Sequence, residues 1–205
     1  MSEWSLAGKP ALVVVHMQNS VCKDPSPLEP MGHCRATWED GIVPRIQNLQ
    51  AAFRAKGYPV IFIVTYTPPG FQQPAYGPFW PAAEKTGANR MGTRDVEVIE
   101  ELAPVAGERI FYNWPFGIFQ KGRREENDLQ QYLDEQGVET IVLAGVATGM
   151  SVGHAAFTLA DRFYSLIVPS DTCTDGNRGL HEAMINWMIP PIALVTTADD
   201  VIAHL

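Results

Sequence analysis

Residues 140–163 read TIVLAGVATGMSVGHAAFTLADRF. The first seven, TIVLAGV, form a short continuous apolar run, the pattern of a strand buried on both faces of a parallel sheet. From Ser151 the period changes: SVGHAAFTLADRF, 151–163, reads as a helix lined with small residues. The same switch recurs along the chain. Strands are expected at ALVVV (11–15), PVIFIVTY (59–66), RIFY (109–112), SLIVPSD (165–171) and IALVTT (192–197). Helices are expected at IVPRIQNLQAAFRAKG (42–57, with Gly57 as the stop), ENDLQQYLDEQGV (126–138), RGLHEAMINWM (178–188) and ADDVIAHL (198–205), with a short one over VEVIEEL (96–102). Alternation of this kind predicts one α/β domain over 1–205, a parallel sheet with helices on both faces. Residues 67–94, rich in Pro, Gly and aromatics, follow neither period; a connection this long suits a lid or an oligomer arm.

The bulk properties exclude several function classes. Formal net charge is −8, and the short basic cluster KGRREE (121–126) is balanced by its own acids, so nucleic acid is not an expected partner. No segment approaches the roughly 20 apolar residues of a membrane helix. The opening MSEWSLAGKPALVVVHMQ has an early acid and an apolar run of only about six residues, unlike a secretory leader. Cys22, Cys34 and Cys173 are odd in number and lack metal spacing, which predicts a cytoplasmic protein with free thiols. His33 and Cys34 are adjacent without a third ligand at a credible spacing, so no metal is expected. Neither a phosphate-binding glycine loop nor a nicotinamide fingerprint is present, so no cofactor is expected. A small molecule remains the expected partner.

In open parallel sheets ligands bind beyond the carboxyl ends of the strands. His16, Asn113, Ser151 and Asp171 each follow a strand. Gly149-Met150-Ser151-Val152-Gly153 also matches G-x-S-x-G, the nucleophile elbow of serine hydrolases. Three roles stay open for Ser151: nucleophile, polar substrate contact, or helix cap. Gly153 could equally serve close helix packing.

Several elements in order, ALVVVHMQN (11–19), NWPFGIF (113–119), IVLAGVATGMSVGHAA (141–156), VPSDTCTD (168–175), HEAMINWM (181–188) and ALVTTADDVIAHL (193–205), resemble the isochorismatase-like cysteine hydrolases over roughly residues 8–205. The resemblance implies a three-layer, Rossmann-like α/β fold with a six-stranded, mostly parallel sheet, a hydrolase activity, a homo-oligomer (dimer or tetramer) and a cis peptide between Val146 and Ala147. The D-x-H metal element of nicotinamidase-type relatives has no counterpart in TYTPPG (65–70). The family's triad is Asp, Lys and Cys. Here His16 stands at the Asp position, Asn113 at the Lys position and Ser151 at the Cys position.

All three changes fit one another chemically. A serine hydroxyl needs an adjacent base, and a neutral imidazole suits that task better than a carboxylate. A lysine beside that imidazole would oppose its protonation; neutral Asn113 would not, and could orient His16 or donate to an oxyanion. The expectation is a Ser/His/Asn site acting on an amide, ester or lactone. Two alternatives stay open: His16 as a non-covalent acid/base, and an inactive binding or regulatory homologue. Isochorismate cleavage itself is disfavoured, because isochorismatases keep the Asp. Substrate contacts are expected from Gln18, Trp114, Phe116, Trp80 and Ala147, with Asn19 and Phe79 as weaker choices; Trp80 and Phe79 also suit a subunit contact. Cys173, His154 and His181 read as structural, and Asp171 as a turn or capping residue.

Overall fold

A computed structural model describes residues 4–68, 84–114, 116–122 and 124–205. Phe79 and Trp80, and most of the connection at 67–94, lie outside the described residues. Six parallel strands run in the order β3 (Arg109–Asn113), β2 (Val60–Thr65), β1 (Lys9–Val15), β6 (Val138–Val146), β7 (Ser165–Pro169) and β9 (Leu194–Thr196). The two-residue β8 (Cys173–Thr174) pairs with the end of β6 as a seventh strand. β4 (Gln120–Gly122) and β5 (Glu125–Glu126) form a small antiparallel ribbon.

The continuous apolar runs follow from burial on both faces. Along β1, Ala11, Val13 and Val15 join one core, while Leu12 and Val14 join the other. The first core packs against α4 (Leu129–Gln136) and α5 (Gly153–Ala160) through Leu129, Leu133, Ala155, Ala156 and Leu159. The second packs against α3 (Ile42–Ala55) through Ile42, Ile46, Leu49 and Phe53, a stripe at helical spacing, and against α7 (Ala198–His204) through Ala198 and Val201. The direction of winding reverses between β1 and β6, which opens a crevice at their carboxyl ends. At that edge Gly145 (φ 124) faces Val15 so closely that a Cβ would lie 2.1 Å from the Val15 carbonyl oxygen.

Some expected elements differ. No α-helix covers 96–102. Two 3₁₀ turns, Arg94–Val96 and Glu100–Leu102, flank an extended stretch that bonds to the chain after β1: Asn19 N–H donates to Glu97 O and Ile99 N–H to Met17 O. Tertiary pairing decides this segment, and its β-branched Val96, Val98 and Ile99 suit it. The helix expected from residue 126 begins at Leu129, because Glu126 pairs in β5. The helix expected from 151 is α5 preceded by a π turn, Thr148–Val152. The helix expected over 178–188 is α6 (Arg178–Ala183) running into a π turn, Met184–Met188. Short helices α1 (Asn19–Cys22) and α2 (His33–Glu39) carry no clear period in the sequence.

Candidate active site

A narrow cavity opens at the carboxyl edge of β1, β2, β3 and β6. It is lined by His16, Thr65, Asn89, Trp114, Phe116, Ala147 and Ser151, with Val21, Leu28, Met31, His33, Val146 and Met150. Its volume is about 40 Å³. That is room for about three waters, which is the size of a reacting head group. Among the described residues lining it there is no Asp, Glu, Lys or Arg.

His16 is the first residue after β1 and carries φ 50, a left-handed conformation that costs a non-glycine residue about 1–2 kcal/mol. Its backbone N–H is held by Ile63 O at 2.9 Å. The turn lifts the ring off the strand axis. Its Nε2 lies 3.0 Å from Asn113 Oδ1, while Asn113 Nδ2 donates to Gly117 O at 3.4 Å. The amide therefore presents its oxygen to the ring, so Nε2 carries the proton and Nδ1 the lone pair. Burial, opposed by the Asn113 hydrogen bond and reinforced by His33, pulls the His16 pKa from 6.5 down to about 4. The imidazole is neutral at physiological pH. Asn113 is itself fully buried beneath the ring and does not line the cavity.

Ser151 sits in the π turn that follows the cis peptide Val146–Ala147. Its N–H bonds back to Ala147 O at 2.9 Å, and Gly149 N–H donates to Asp175 Oδ2 at 2.8 Å. The two glycines of the pentad answer to packing. A Cβ on Gly149 would lie 2.2 Å from Leu180 Cδ2, and one on Gly153 2.3 Å from Met184 Cε. Neither glycine has a positive φ, and nor does Ser151, so the pentad is no strained elbow. No hydrogen bond joins Ser151 to His16 among the described residues, although both face the same cavity.

The structure thus brings together His16, Asn113, Ser151, Ala147, Trp114 and Phe116. Gln18 stands apart. It is fully buried, and its Nε2 lies within hydrogen-bond reach of Ser20 Oγ, Thr65 O, Asn89 Oδ1 and Asp95 O, while its Oε1 accepts from Thr65 N–H. A substrate contact from Gln18 would break this network. Asn19 likewise donates to Arg94 O and Glu97 O. His33 and Asn89 line the cavity without any sequence signal to mark them.

The remaining polar residues are accounted for elsewhere. Burial pushes the Cys173 and Cys22 thiols up to about 12, and all three cysteines are free and buried. His181 Nδ1 bonds Thr148 Oγ1 at 2.9 Å. Asp171 accepts from Ala198 N–H at 2.9 Å. No group of three His, Cys, Asp or Glu side chains is placed to hold a metal among the described residues.

The isochorismatase domain model matches residues 10–200. The chain belongs to the isochorismatase family. It is similar to an uncharacterized isochorismatase family protein, YecD, of Escherichia coli, 25% identical over 95% of both chains. It is 26% identical to the ureidoacrylate amidohydrolase RutB of Methylobacterium radiotolerans, over 85% of this chain and 70% of that protein. A solved cysteine hydrolase from Pseudomonas syringae pv. phaseolicola superposes with TM-score 0.82 at 24% identity, covering 98% of this chain and 95% of its own. That likeness establishes the fold.

Proposed function

We propose that the protein is a hydrolase of a small, uncharged amide, ester or lactone, with Ser151 as nucleophile, His16 as base and Asn113 as the group that orients the base. The observation that carries this reading is the chain Gly117 O, Asn113, His16, which fixes the imidazole tautomer with its lone pair on Nδ1. His16 Nδ1 takes the Ser151 hydroxyl proton as Oγ bonds to the carbonyl carbon. The same proton then passes to the leaving amine or alkoxide as its bond to carbon breaks. Water, deprotonated by His16, cleaves the acyl-serine and restores the enzyme. A resting pKa of about 4 makes this imidazole no stronger a base than a carboxylate. The developing oxyanion must raise it during the step, so modest turnover is expected. The amide activity of a relative such as the ureidoacrylate amidohydrolase supports the substrate class.

A second reading has an observation of its own. Ser151 makes no hydrogen bond to His16 among the described residues, which suits a serine that contacts substrate while His16 acts on it directly. Labelling separates the two. A small fluorophosphonate should add one mass increment on Ser151, lost in Ser151→Ala and in His16→Gln. Folded protein that stays unlabelled while turning over an ester or amide would favour the second reading. The same proposal includes a cytoplasmic location, in keeping with the free cysteines, and a homo-oligomer, supported by the apolar Phe163 and Trp187, which are 96% and 78% exposed. Solution mass equal to one chain would remove that part.

A further inference from the structure

We infer that His33 and Asn89 supply a pair of hydrogen-bond donors that hold the oxygen of an uncharged carbonyl substrate against His16. The inference rests on the reading of this cavity as the hydrolase site, and it adds two residues and a selection rule to it.

The His33 tautomer is settled by its neighbours. Gly176 N–H donates to His33 Nδ1 at 3.0 Å. A backbone N–H can only donate, so Nδ1 must carry the lone pair and Nε2 the proton. Protonating the ring would set two N–H groups against each other. Burial pulls its pKa down in the same direction, against the pull of Asp175. The chain is shaped for this contact: Gly176 passes so close to Met31 that a Cβ there would lie 1.8 Å from Met31 O.

Asn89 is oriented just as firmly. Its Oδ1 accepts from Gln18 Nε2 at 3.2 Å and from Ser20 Oγ. Its backbone has φ 61, with Asp95 Oδ2 holding its N–H and Thr67 N–H bonding its O. The amide nitrogen, a donor only, is left pointing away from that network. Fully buried side-chain polar atoms without a partner are limited, among the described residues, to Thr67 Oγ1 and Glu101 Oε2. His33 Nε2 and Asn89 Nδ2 bond to no other described group and are not among these fully buried atoms, and both residues line the cavity, so we assign their N–H groups to it.

The cavity thus offers donors from His33 and Asn89 and one lone pair from His16. A carboxamide complements that set: its oxygen accepts and its N–H donates. A carboxylate of the same shape does not. It would face the His16 lone pair with no cation among the described lining residues to offset its desolvation. Gln18 becomes a positioning residue acting through Asn89.

Acetamide and acetate, titrated into the Ser151→Ala protein and followed by the side-chain ¹⁵N resonances of the histidines, test this without needing the nucleophile. Acetamide should move the His33 Nε2 resonance and saturate, and acetate should bind about tenfold more weakly or worse. His33→Asn keeps an acceptor for Gly176 N–H and withdraws the donor from the Nε2 position, which the shorter amide does not reach. It should weaken acetamide about tenfold with the melting temperature unchanged. His33→Gln keeps a donor and loses that acceptor, so it should melt lower while holding acetamide within about threefold. A His33 resonance indifferent to acetamide, or undiminished acetamide binding by His33→Asn, would overturn the inference. Fluorophosphonate labelling of the wild-type protein is read separately: its failure removes Ser151 as nucleophile and leaves the acetamide result standing.

Discussion

Two concavities among the described residues invite comparison, and the smaller is the one proposed to carry the chemistry. A groove of about 480 Å³ is lined by Asp40, Arg45, Asp171, Arg178 and Glu182. Its charges answer one another: Arg45 lies 3.6 Å from Asp171, and Arg178 lies 3.5 Å from Asp40 and 3.1 Å from Glu182. The cavity at His16 is about a twelfth of that size and uncharged, yet it presents a lone pair, a hydroxyl and two N–H donors that no described residue satisfies. Volume measures how much can enter. Unsatisfied hydrogen-bonding capacity measures what the protein has left for something else to complete.

The sharpest way to break that contrast is to remove the reacting groups. Ser151→Ala and His16→Gln should each lower ester or amide turnover about 10³-fold or more, measured as kcat/KM. Retention of activity within tenfold in both would leave the cavity without a catalytic claim. Next in size is the scaffold. Gly176→Ala places a Cβ against Met31 O and should cost about 3 kcal/mol of unfolding free energy, read by urea titration. The cavity's donors should be lost with it.

The pH response tests the cavity through His16. The folded pKa of His16 lies below its ordinary 6.5, so its contribution to stability is complete above pH 6.5 and lost as pH falls toward about 4. The loss is roughly 3 kcal/mol at most, and His16→Gln should flatten that part of the stability curve. The acid limb of kcat/KM should likewise fall near pH 4 in place of the usual histidine range. Asn113→Leu leaves the Nε2–H unpaired in a dry site and should cost about 1–3 kcal/mol, with a drop in kcat of about tenfold or more and little change in KM.

How much of this was legible in the sequence follows from where each residue sits. β1, β2, β6 and β7 were legible because burial on both faces leaves unbroken apolar runs, β3 and β9 only by the alternation around them, and His16, Asn113 and Ser151 were legible as candidates because each follows or ends a strand. His33 and Asn89 were not. They come from the start of a seven-residue helix and from an irregular segment, and the fold delivers them through close backbone approaches that have no period. Gln18 was placed near the site but in the wrong role, since adjacency to His16 could not tell a ligand contact from a buried anchor. The G-x-S-x-G match was real as letters. Its glycines answer to Leu180 and Met184, contacts that lie about 30 residues further along the chain.

The smallest effect tests the large groove. Arg178 and Arg45 are both largely solvent-exposed, with side chains 66% and 45% accessible, and exposed ion pairs contribute about 0–1 kcal/mol each. Arg178→Ala should therefore leave turnover within about twofold and stability within that same range, more closely still at high salt. If instead it cut turnover as deeply as Ser151→Ala, the paired charges would be holding something the cavity needs. The route is short: Arg178 opens α6, His181 in that helix bonds Thr148, and Thr148 begins the π turn that carries Ser151. A loss confined to kcat, with the protein fully folded, would show that the groove positions the serine through this chain of contacts; an unchanged rate would leave the groove as a closed set of charges beside the working site.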